Sequence, residues 1–170
     1  MYEQADDQLS TQSHDRLGLR LWRYVPLLFW ISVIIFGSGD NVSSAKTSRY
    51  LAVVVRFLLP SISDESLSVI NVALRKTGHF TVYATLALLA ARAFLTSSKN
   101  GLRRRWFVVA LVLVAVCAVS DEYHQSSVPS RTGTLYDSLL DIAGGAFALT
   151  AVWFIRRRLR RRAIHLVPKS

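Results

Sequence analysis

A chain of 170 residues with 51% hydrophobic content, a formal charge of +10 and a mean hydropathy of +0.29 departs from an ordinary soluble domain, which breaks up its apolar runs more often. The basic excess would suit nucleic acid, but its densest run, "RRRLRRR" (Arg156 to Arg162), directly follows an apolar block. There it reads as a topology anchor touching anionic lipid, and no nucleic-acid role is expected. The single cysteine, Cys117, cannot form an intramolecular disulfide and carries no redox motif.

In chain order, residues 1–18 form a polar segment, expected to be loose. Four apolar blocks then follow at about 19–38, 77–95, 106–123 and 135–155. At about 1.5 Å per residue, each can cross a hydrocarbon layer about 30 Å thick. The third is the shortest and must continue as helix toward Tyr123. The fold class is therefore all-α, an integral membrane bundle of four transmembrane helices over 19–155, followed by a polybasic tail, 156–170. The first block is read as a retained span. A signal peptide would not carry Glu3, Asp6, Asp7 and Asp15 in its front, and the small residues Ser43, Ser44 and Ala45 lie well beyond Phe36.

Between the first and second spans, Gly39 to Arg75 is too long for a turn and too apolar for a linker. In "RYLAVVVRFLLP", Arg49 and Arg56 share one helical side and Leu51, Val54, Val55 and Leu58 another, which predicts a short interfacial helix ended by Pro60. Ser63 followed by Asp64 and Glu65 predicts a second helix, "DESLSVINVALRK", running straight into the second span, with its apolar side against the bundle. The short connection "TSSKNGLRRR" makes the second and third spans antiparallel neighbours.

With both termini cytoplasmic, fifteen of the 21 lysines and arginines lie inside, and six lie outside: Lys46, Arg49, Arg56, Arg75, Lys76 and Arg131. The positive-inside bias selects that orientation. Lys76, His79 and Tyr83 then stack at the outer end of the second span, while Asp121, Glu122 and Gln125 end the third. Asp137, Asp141 and Gly144 or Gly145 recur at the same spacing near the outer end of the fourth. A charge facing lipid is costly, so Asp137 and Asp141 should face inward and meet Lys76, Arg131 and Arg75. Gly144 and Gly145 allow close helix approach below them.

Such a cluster has several uses. It can staple helices, bind a headgroup beside Tyr83, Tyr123 and Tyr136, or move protons through Glu122 or His79. Phosphate recognition by Arg75, Lys76 and Arg131 is physically easy. Metal is not expected: Glu122, His124, His79, Asp137 and Asp141 offer ligands, but without an HExxH or paired-cysteine spacing and with cations nearby. Ser126, Ser127 and Ser130 lack a nucleophile-elbow pattern. No cofactor is expected. A transporter or channel would require a homo-oligomer, since four helices are few.

At these same residues, "RKTGHFTVYATLALLAARAF" (Arg75 to Phe94) and "SDEYHQSSVPSRTGTLYDSLLDIAGGAFA" (Ser120 to Ala148) resemble the VanZ-like family. That family's pattern is a basic residue, a histidine and an aromatic opening one helix, then an acid pair, a glutamine, a proline-x-arginine turn and D-x-x-x-D/N-x-x-G. On this resemblance Lys76, His79, Tyr83, Glu122, Gln125, Arg131, Asp137, Asp141 and Gly145 carry over. Ser130 replaces a frequent glycine, and Asp141 a frequent asparagine. The resemblance implies a small multi-pass protein of the bacterial cell envelope, in a family whose named member is associated with teicoplanin resistance. The preferred expectation is binding of an envelope lipid or lipid-linked precursor at the outer mouth. An integral membrane hydrolase or transferase acting on such a lipid is the alternative.

Overall fold

The computed structural model describes residues 22–37, 44–126 and 135–165. The described residues form helices and short connections: α1 (Val25–Gly37), α2 (Ser44–Leu58), α3 (Asp64–Leu95), α4 (Asn100–Arg104), α5 (Trp106–Ser126) and α6 (Leu135–His165).

Three of these, α3, α5 and the Leu135–Arg162 part of α6, are long and apolar enough to cross a membrane. α1 is apolar throughout but has 13 residues, about 20 Å of helix. The expected four-span count thus rests on residues flanking α1, and 19–21 and 38 lie outside the described residues. α3 is a single helix of 32 residues, about 48 Å long, and so extends well past a hydrocarbon layer of about 30 Å.

The start of α3 follows local chemistry. Ser63 has extended backbone, and its hydroxyl accepts from the Ser66 amide at 3.2 Å, satisfying one donor that the first turn leaves open. Asp64 and Glu65 place negative charge at the positive end of the helix dipole. α2 ends at Leu58, two residues before Pro60, because proline restricts its predecessor and removes a donor. Arg56 pairs with Asp64 across this corner, with both side chains exposed.

Packing inverts the usual soluble pattern. On α5, Trp106, Ala110, Val114, Ala118, Glu122 and Gln125 form a buried stripe. Val108, Val112, Val116 and Val119 lie on the exposed side. α3 buries Ala87, Ala90, Ala91 and Ala93 around Tyr83, Leu86 and Phe94. Small residues let backbones approach, and the exposed valines match a surface solvated by lipid rather than water.

α6 packs most extensively on α3 and then on α5, and α1 joins through α3. Leu27 and Ile34, seven apart, enter the core from α1. Trp30 Nε1 donates to the Val82 carbonyl at 3.0 Å, and the Tyr24 hydroxyl donates to Ser97 Oγ at 3.0 Å. Arg23 donates to the Thr96 carbonyl.

The short connection between the second and third spans contains the five-residue helix α4. One expectation changes. The apolar side of Asp64 to Lys76 is not buried: Leu67 and Ile70 are half-buried, while Val69, Val72 and Leu74 are exposed. Among the described residues, no neighbouring helix covers Val69, Val72 and Leu74.

Candidate functional site

One end of the bundle gathers polar side chains from three helices. α3 contributes Arg75, His79 and Tyr83, α5 contributes Asp121, Glu122 and Gln125, and α6 contributes Asp137, Ser138 and Asp141. Positions 75, 79 and 83 are each four apart and therefore lie along one helical row. Ser138 precedes Asp141 by three, placing both on the face that continues through Gly145 and Leu149.

Asp141 is fully buried (0% exposed). Its carboxylate receives His79: Nδ1 lies 3.3 Å from Oδ1 and 3.4 Å from Oδ2. One turn earlier on both helices, Arg75 Nη2 lies 3.6 Å from Asp137 Oδ2. Gln125 Nε2 donates to Asp121 Oδ2 at 2.9 Å. The buried Tyr83 hydroxyl donates to the Cys117 carbonyl at 3.3 Å, tying α3 to α5.

Glu122 is also buried (6% exposed), beside Asp121 (8%). Gln125 Oε1 and Ser138 Oγ are buried with no hydrogen-bond partner among the described residues. Each keeps capacity for another polar group, which a buried site ordinarily spends.

Not every residue singled out in the sequence enters this cluster. Lys76 is exposed, and Arg75 occupies the position facing Asp137. Two helical rows fit the spacing rule, one through Arg75 and one through Lys76, and the packing of α6 on α3 selects the first. Tyr123 and Tyr136 are exposed at 78% and 82%, and His124 and Ser126 are exposed as well. Ser127, Ser130, Arg131 and the Pro129 to Gly133 turn lie outside the described residues.

Gly144 sits where two backbones meet, and Gly145 sits against a side chain. A Cβ on Gly144 would lie 2.6 Å from the Phe80 carbonyl oxygen, and one on Gly145 would lie 2.6 Å from Val114 Cγ1. α6 thus touches α3 at Gly144 and α5 at Gly145, immediately below the polar cluster. Sequence reading missed Ser138; its spacing of three from Asp141 was the available signal.

Chemically, the cluster has an imidazole oriented by a carboxylate, an arrangement that can hold or move a proton. His79, Asp121 and Asp141 also offer ligand atoms within 4.8 Å of one another, a donor set suited to a divalent cation.

A family model described as VanZ/LLP1 matches residues 23–156, which span all three long apolar helices through the start of the arginine run. The chain belongs to the VanZ/LLP1 family. No curated protein and no solved structure matches it. The matched region contains the whole polar cluster of this VanZ/LLP1 protein, including every described residue named by the resemblance. Family membership and three membrane-length apolar helices together point to the membrane.

Proposed function

We propose that this VanZ/LLP1 protein is a multi-pass protein of the bacterial cytoplasmic membrane that binds an envelope lipid or lipid-linked precursor at its polar end. In this reading α1 and its flanks complete a fourth span. Residues 1–18 and 156–170 are cytoplasmic, and the cluster opens at the outer face. The asymmetry of lysine and arginine along the chain supports that orientation.

The observation that carries the proposal is the burial of Asp121, Glu122, Gln125, Ser138 and Asp141 at one end of an otherwise apolar bundle. Ionisable groups at membrane depth are expensive and are kept where they act. Arg75 stands at the rim to meet an anionic group, while the inner carboxylates accept hydrogen bonds from hydroxyls. Glycopeptide susceptibility, teicoplanin in particular, is the proposed cellular consequence.

The test expresses wild type or Glu122→Gln in a sensitive bacterium, scores teicoplanin beside vancomycin, and records membrane abundance. Selective protection by wild type and its loss in an equally abundant variant supports the reading. Equal protection by both proteins sinks the assignment of Glu122.

A second reading, an integral membrane hydrolase or transferase, is favoured by one feature. Asp141 orients His79 as a carboxylate orients a general base. It requires turnover of an envelope lipid by the purified protein. Turnover unchanged in His79→Gln would remove His79 from that role.

A further inference from the structure

At the opposite end of the bundle, a cavity of about 570 Å³ is lined by Leu95, Asn100, Arg103, Arg104, Trp106, Arg156 and Arg160. Its cations come from two directions: Arg103 and Arg104 from α4, Arg156 and Arg160 from α6. The second pair is four apart and so lies on one helical row facing α4. Leu95 and Asp141 mark the separation of the two sites: Arg156 is fifteen residues beyond Asp141 on the same helix, about 22 Å.

Other arginines nearby are engaged by the protein. Arg157 lies over the Trp153 ring at 5.2 Å, and Arg23 donates to the Thr96 carbonyl. Among the described residues, none of the four cavity arginines has an acidic partner. Segments 96–120 and 142–170 contain no aspartate or glutamate. Arg103 Nη2 donates to Asn100 Oδ1 at 2.9 Å, which leaves the Asn100 amide hydrogens directed elsewhere. The cavity therefore presents donors and positive charge with few acceptors.

We propose that this cavity is a binding site for the phosphates of an anionic phospholipid headgroup, and that a lipid with two phosphodiesters fits it best. Guanidinium forks match phosphate oxygens in pairs, and four forks accommodate two phosphates. Trp106 and Leu95 place the cavity where helices leave the apolar layer. Trp153, Phe154 and Ile155, exposed just before Arg156, offer an apolar surface for acyl chains. A topology anchor needs only charge density, whereas this arrangement predicts dependence on particular arginines. The inference is independent of what the His79 end binds.

The experiment titrates the full-length detergent-solubilised protein with cardiolipin, phosphatidylglycerol, phosphatidylcholine and inorganic pyrophosphate, reading bound lipid by native mass spectrometry. Cardiolipin should bind at least about tenfold tighter than phosphatidylcholine, given the attraction of each nearby arginine for anionic lipid. The double variant Arg104→Gln/Arg160→Gln should lose at least about tenfold in cardiolipin affinity. Arg161→Gln/Arg162→Gln removes the same charge outside the cavity and should lose clearly less affinity than the cavity variant. Equal losses in the two double variants would overturn the site in favour of diffuse charge. Pyrophosphate binding as tightly as cardiolipin would overturn the lipid as its source. Should the glutamine variant fail to fold, Arg104→Lys/Arg160→Lys keeps the charge and removes the forks. A several-fold loss there sustains the proposal, and unchanged affinity defeats it.

Discussion

His79 Nδ1 lies 3.3 Å from the fully buried carboxylate of Asp141, joining residues 62 positions apart on two neighbouring apolar helices. The contact stands one turn below the Arg75–Asp137 pair, so α3 and α6 are joined twice along the same seam. Removing the carboxylate with Asp141→Ala should lower stability by about 1–2 kcal/mol, the range of polar contacts between membrane helices. Asp141→Asn keeps the shape and a hydrogen-bonding oxygen and should cost less. Thermal unfolding of the three proteins in one detergent measures the order, and an alanine variant as stable as wild type would show that the pair is not holding the helices.

Gly144→Ala should destabilise the bundle by about 1–3 kcal/mol. Its new Cβ would lie 2.6 Å from a backbone oxygen of Phe80, which cannot rotate away. Gly78→Ala is the contrast. Nothing lies within 4 Å of a Cβ there, and alanine in a helix interior should stabilise by up to about 1 kcal/mol. Melting temperatures moving in opposite directions are the expected result.

Arg75→Gln should affect function more than stability. The Arg75–Asp137 side chains are 34% and 19% exposed at 3.6 Å, and pairs of this kind contribute about 0.2–1 kcal/mol. If the site takes an anionic headgroup, lipid binding falls in Arg75→Gln, while Lys76→Gln, at an exposed position, has the smaller effect. Direct lipid-binding measurements on both variants compare them.

Tyr83→Phe deletes the hydroxyl that donates to the Cys117 carbonyl while keeping the buried ring. A loss of about 0.5–1.5 kcal/mol is expected, the usual net worth of one such hydrogen bond. No change in thermal unfolding would mean that the ring alone fastens α3 to α5.

Ser63→Ala should cost about 1 kcal/mol at the start of α3. The effect is local: faster hydrogen exchange at the Ser66 amide, with exchange in the Tyr83 to Ala93 core unchanged. Equal acceleration in both regions would contradict a purely local cap.

Much of this architecture was legible in the sequence because it depends on local chemistry. Long apolar runs require helix where water is absent. Ser63 with Asp64 and Glu65 marks a helix start, Pro60 stops α2 short, and residues three or four apart share a face whatever packs against them. Those rules placed His79, Tyr83, Glu122, Gln125 and Asp141 at one end of the bundle. They put Lys76 in the row of His79 and Tyr83, but Arg75, about 100° of helix rotation away, is the residue that faces Asp137. Only the seating of α6 on α3 selects it. Ser138, the Trp30–Val82 contact and the arginine-lined cavity are likewise tertiary, since each joins segments whose relative depth and rotation no local spacing specifies. Local chemistry along the chain is enough to set the helices and to place charge toward their ends. Which charges face one another is a matter of packing, because in an apolar surround those pairings follow from how closely helices approach, as where Gly144 meets the Phe80 backbone.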